Sequence, residues 1–130
     1  MTACPHVKIV GNRFIGGFTG DVIDIGAGAV DDVLIKDNLI MGGNNDGIVV
    51  TGTTTITDKR MAMIINNAIY VDNVTISDGA DSTIVVIGNR CVTAGALGGT
   101  SHVITAAYSA DNIVTGNGVS KSYPQIEAPT

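Results

Sequence analysis

The chain has no tryptophan, and three tyrosines and two phenylalanines are its only aromatic residues. With hydrophobic residues at 45%, its core must be filled by aliphatic side chains, which suits a narrow interior. Basic residues are also few. Seven Lys and Arg against twelve Asp and Glu leave a net charge of −5, and the cations are scattered and form no stripe. That pattern argues against nucleic acid or an anionic membrane surface as a partner. No apolar run reaches the roughly 20 residues of a membrane-spanning helix, so no membrane insertion is expected. The opening Met1-Thr2-Ala3-Cys4-Pro5 lacks a basic segment followed by an apolar one, so no signal peptide is expected either. There is no CxxC and no Cys/His cluster, which excludes a zinc site by spacing, and no metal or other cofactor is expected. No stretch carries a helical period with caps.

What the chain does have is a repeat. Asn12, Asn38, Asn67, Asn89 and Asn117 are separated by 26, 29, 22 and 28 residues, and an apolar frame surrounds each. Three positions before them lie Ile9, Ile35, Ile64, Val86 and Val114; five before lie Val7, Val33, Ala62, Ile84 and the exception, Asn112. Two positions after lie Phe14, Ile40, Ile69, Cys91 and Val119. The two-residue spacing argues for strands, and a pattern recurring every 20–50 residues is the signature of a stacked repeat. A second strand is expected in most repeats at Val22–Ile25, Gly47–Val50, Asn73–Ile76 and Val103–Ala106, followed by a polar turn. At 130 residues this is one domain. Cys91 falls in the core row, as a small hydrophobe, whereas Cys4 falls elsewhere in its repeat, which speaks against a disulfide between them.

The segments VKIVGNRF, VLIKDNLI, AMIINNAI, IVVIGNRC and NIVTGNGV resemble the right-handed parallel β-helix superfamily of pectate lyases, polygalacturonases and bacteriophage tailspikes. The expected fold is therefore all-β: a right-handed single-stranded parallel β-helix of about five short coils over residues 1–119, with residues 120–130 as a C-terminal tail leaving the solenoid. The asparagines are read as a structural ladder. Asn tolerates the left-handed backbone of a sharp corner, and identical amides stacked at the ~4.8 Å strand spacing can hydrogen-bond one another.

The strongest candidate chemistry precedes the second strand. Aligning Ile23, Ile48, Val74 and Ile104 as core residues places Asp21, Asp46, Asp72 and His102 in one line. Such a line could act as an acid/base set or bind a cation through oxygen ligands, though Asp before a strand is also ordinary turn chemistry. Asp31, Asp32, Asp58, Asp81 and Asp111 sit at varied offsets and read as solvated turn residues. The pair in VDDV is shared with polygalacturonases, but that family's Gly-His-Gly and Arg-Ile-Lys motifs are missing, as are the catalytic motifs of pectate lyases and alginate epimerases. The longest connections after the corner, Ile15–Gly20 and Val92–Ser101, suggest a binding edge on which Phe18 and Tyr70 could stack on sugars. TGTTTIT (Thr51–Thr57) has no threonine partners in neighbouring repeats, which rules out an ice-binding array.

The expected function is a virion structural or receptor-binding module, similar to the β-helical part of a phage tailspike or fibre and able to contact host polysaccharide. A polysaccharide lyase or glycoside hydrolase is the first alternative, and an extracellular adhesin fragment the second. The resemblance to tailspikes implies a homotrimer, or a place in a larger assembly, with other subunits or the rest of a larger protein covering the edges that a short solenoid would expose.

Overall fold

The computed structural model describes residues 6–25, 32–50, 62–78, 84–93, 104–105 and 113–120, and every regular element among them is a β-strand. The first repeat supplies β1 (His6–Val10), β2 (Arg13–Phe18) and β3 (Ile23–Ile25). The second supplies β4 (Asp32–Lys36), β5 (Leu39–Gly43) and β6 (Ile48–Val50); the third β7 (Ala62–Ile65), β8 (Ala68–Val71) and β9 (Ile76–Asp78). The fourth adds β10 (Ile84–Ile87), β11 (Arg90–Thr93) and β12 (Ile104–Thr105), and the fifth β13 (Ile113–Thr115) and β14 (Gly118–Ser120). Equivalent strands pair in parallel, so the chain visits three sheets in rotation. Sheet A runs β1-β4-β7-β10-β13, sheet B β2-β5-β8-β11-β14 and sheet C β3-β6-β9-β12. The protein is all-β, built of parallel strands stacked in three sheets.

The apolar frame of the sequence becomes the core because alternate residues of a strand share a face. Ile9, Ile35, Ile64, Val86 and Val114 stand in register across sheet A. Phe14, Ile40, Ile69, Cys91 and Val119 do so across sheet B, and Ile23, Ile48, Ile76 and Ile104 across sheet C. The three rows meet in one cluster. Its middle members, such as Ile35, Ile64, Ile40 and Ile48, are sealed from solvent, each contributing about 1.5–3 kcal/mol. The end members Val7, Ile9, Phe14, Val114 and Val119 are only partly buried.

Three expectations are corrected. The second strand of the third repeat begins at Ile76, not Asn73, and Ile76 pairs with Ile48 and Ile104. A shift of two residues keeps every side chain on its own face, so Val74 and Ile76 are equivalent as a hydrophobic pattern. The left-handed residue of each corner is not the ladder Asn but the residue before it: Gly11, Asp37, Asn66, Gly88 and Gly116 have φ between 54° and 70°. Gly, Asn and Asp reach that region at least cost, which explains the composition of the column. Finally, the segment after the first corner is not a loop but β2, which shifts register between Ile15 and Phe18. The second repeat shifts between Met41 and Gly43, and in the third Tyr70 leads directly to Val71. Gly42 (φ 88°) makes this possible, since a Cβ there would lie 2.6 Å from the Gly16 carbonyl oxygen.

Candidate functional site

The five asparagines form one continuous hydrogen-bonded column. In each step the backbone N–H and the side-chain Nδ2 of one Asn both donate to Oδ1 of the Asn in the following repeat. For Asn38 and Asn67 the distances are 3.0 and 2.9 Å, for Asn67 and Asn89 both 2.9 Å, and for Asn89 and Asn117 2.8 and 3.0 Å. Asn12 donates to Asn38 in the same way at 2.9 and 3.3 Å. The second Nδ2 hydrogen turns back one repeat, from Asn38 to the Ile9 carbonyl, Asn67 to Ile35, Asn89 to Ile64 and Asn117 to Val86. Asn38, Asn67 and Asn89 are buried, and both donors and both lone pairs of each amide are used. In a buried amide with every position filled, the hydrogen bonds offset the cost of desolvation and nothing is left for a ligand. Its arrangement is a structural one.

The aspartate line is shorter than its alignment suggests. The Asp46 N–H donates to Asp21 Oδ1 at 3.2 Å, and the Val74 N–H donates to Asp46 Oδ1 at 3.1 Å. Val74 therefore occupies the place assigned to Asp72. Asp72 is exposed two residues earlier, its N–H donating to the Gly43 carbonyl at 2.9 Å. His102 lies outside the described residues, as do Asp31, Asp58, Asp81, Asp111, Thr51–Thr57, Cys4 and the tail at 121–130. Among the described members of the line, Asp21 and Asp46 are the ones brought together. Burial pushes the Asp46 carboxyl above its ordinary value and Asp21 adds to the push, while the Val74 N–H and the Asn73 side chain act against it. Asp32 is engaged by His6 Nδ1 at 3.3 Å. Among the described residues no three His, Cys, Asp or Glu side chains group so as to hold a metal. Cys91 is a free, buried thiol pushed up to about 11 by burial, with the Thr75 side chain acting weakly the other way; it is no nucleophile at neutral pH.

Phe18 and Tyr70 do not share an edge. Phe18 pairs with Gly43, which pairs with the sealed Val71, so it belongs to the core-facing row. Tyr70 belongs to the outer row Ile15, Met41, Tyr70, Val92.

That outer face of sheet B is the surface that sequence reasoning missed. Ile15, Met41 and Tyr70 are 57%, 40% and 45% exposed, an apolar rib one residue wide. Beside it run Arg13, Leu39, Ala68 and Arg90, also in register. Met41, Tyr70, Arg90, Val92, Leu39 and Ala68 line a shallow open groove of about 230 Å³. Neither arginine has an ion-pair partner among the described residues. The signal was available at the positions one and three after each Asn. An aromatic ring and aliphatic side chains beside exposed guanidinium groups can hold a ligand with an apolar face and a carboxylate or phosphate. No protein-family model, curated protein or solved structure matches the chain.

Proposed function

We propose that the chain is a right-handed parallel β-helix module of the pectate-lyase-like kind, serving as a structural or receptor-binding part of a bacteriophage tailspike or fibre. Its ligand in this reading is a cell-surface polysaccharide, and its place is the virion. The observation that carries the proposal is the outer face of sheet B, where Ile15, Met41 and Tyr70 form an exposed rib beside Arg13 and Arg90. The stacked parallel sheets and the Asn column support the β-helix. Side-by-side association into a homotrimer belongs to the same resemblance.

Binding of purified bacterial O-antigen and capsular polysaccharides, measured on an array and then by calorimetry, tests this. Tyr70→Ala and Arg90→Ala should each weaken binding at least fivefold with unchanged thermal stability, because both side chains are exposed. Phe18→Ala should affect stability instead. The second reading, a polysaccharide lyase or hydrolase, is favoured by one observation, the raised carboxyl of Asp46 beside Asp21, since a general acid needs such a shift. Release of reducing ends from any of these polysaccharides, abolished by Asp46→Asn with the fold intact, would replace the first reading with the second.

A further inference from the structure

We propose that the ligand of the sheet B face is an acidic polysaccharide lying along the stack, across the strands, with one carboxylate on Arg13 and another on Arg90. This rests on the reading of that face as a polysaccharide site, and adds the chemistry of the chain and its direction.

The outer face of sheet B carries charge of one sign, in a protein whose net charge is −5. One outward row runs Arg13, Leu39, Ala68, Arg90 and the other Ile15, Met41, Tyr70, Val92, so neither contains a carboxylate. The acids stand at its borders. Asp37, in the corner before Leu39, lies 3.6 Å from the Lys36 ammonium. Asp72 is exposed two residues after Tyr70, on the side of the apolar rib away from the arginines. Asn44 and Asn73 are exposed on that side too. One flank of the rib thus attracts carboxylates, and the other repels them while offering hydrogen bonds to hydroxyls. A sugar chain with acids along one side and hydroxyls along the other fits this division.

The direction follows from spacing. Arg13 and Arg90 are three pairings apart in one row, about 14 Å between Cα atoms at the strand spacing. Leu39 and Ala68 between them are half-buried and uncharged, and with Met41 and Tyr70 they line the groove. A pyranose in an extended chain advances by roughly one strand spacing. The first and fourth of four sugars laid across the strands therefore reach the two arginines, where a carboxylate is held by the guanidinium fork. The second and third lie over Met41 and Tyr70 with their C–H faces. A chain laid along a strand meets one arginine at most. Nucleic acid fits poorly, because two cations about 14 Å apart leave most phosphates of a closely charged strand unmatched.

Carboxyl reduction separates the acidic ligand from polysaccharide binding in general. The probes are purified neutral and acidic bacterial polysaccharides, including polymannuronate with a carboxylate on every sugar, and the carboxyl-reduced form of each acidic polymer. Binding should be confined to acidic polymers, and converting their carboxylates to alcohols should weaken it at least tenfold. Lys8→Ala, on the outer face of sheet A, should leave binding unchanged, which shows that the arginines act by position and not by overall charge. Oligosaccharides cut from a bound polymer report the direction. Arg90→Ala should weaken the binding of every length, whereas Arg13→Ala should weaken only fragments of about four sugars or more. Neutral or carboxyl-reduced polymers bound as tightly as acidic ones would overturn the proposal and leave polysaccharide binding standing; no binding to any polymer would remove both. Indifference to Arg13→Ala at every length would also overturn it, since the chain would not span the two arginines. Tighter binding of single-stranded DNA, lost in Arg13→Ala and Arg90→Ala, would replace the sugar with a different occupant.

Discussion

Two columns of side chains run along the stack, and one persists where the other stops. The Asn column passes through all five repeats, while the Asp column holds only Asp21 and Asp46 before Val74 takes the next place. Both bridge one repeat to the next with a side-chain oxygen and a backbone N–H, and their directions are opposite. Oδ1 of an Asn accepts from the repeat before it; Oδ1 of an Asp accepts from the repeat after it. The difference in length follows from the difference between an amide and a carboxylate. An amide gives and takes, so a stack of amides satisfies itself at any height. An ionised carboxylate can only take, and each one added meets the charge of the last. Asp46 shows the cost already at two, with burial and Asp21 both raising its carboxyl.

The largest expected effect comes from breaking the amide column at its middle. Asn67→Leu removes the acceptor of both the Asn38 N–H and the Asn38 Nδ2 group, in a site only 1% exposed. Two stranded buried donors should cost about 3 kcal/mol, on the scale of truncating a core Ile to Ala, measurable by urea unfolding. Asn12→Leu should cost under about 1 kcal/mol, because Asn12 is exposed and stands at the end. Equal losses at the two positions would show that the column does not act through its buried amides.

The Asp column should respond in the opposite sense. The Asp46 carboxyl is raised above 3.8, so its contribution is fully present below that pH and is lost as the pH rises through the folded-state value. Asp46→Asn keeps an oxygen for the Val74 N–H and removes the charge. The variant should melt at or slightly above the wild type at pH 7, and the two should converge as the pH falls below 3.8. A melting point several degrees lower at pH 7 would mean that the charge itself is needed there.

These columns also mark what is legible in the sequence. The rows through Ile35, Ile40 and their equivalents follow from alternation along a strand and repetition between strands, and both are visible as spacing. The register of the third repeat is not visible, because Val74 and Ile76 have the same parity and similar hydrophobicity. The pairing of Ile76 with Ile48 and the hydrogen bond from the Val74 N–H to Asp46 distinguish them. The left-handed position is not legible either, since Asn in the ladder and Gly, Asp or Asn before it are all plausible corner residues. The candidate surface on sheet B was hidden for another reason. Connection lengths point to a binding edge at Tyr70, whereas Tyr70 lies within β8, and the register shifts near Gly16 and Gly42 disguise the row it belongs to.

The two-way bonding of each amide has a consequence for how such a chain can change length. Remove a whole repeat, from one corner to the next, and the asparagines on either side of the cut meet with the same donors facing the same acceptor. Insert one, and it is received on the same terms. Spacings of 22 to 29 residues between successive asparagines are already tolerated, because the differences fall between corners and not at them. Duplication and deletion of single repeats therefore leave the corner bonding complete, and the corner asparagine is what makes the seams heal.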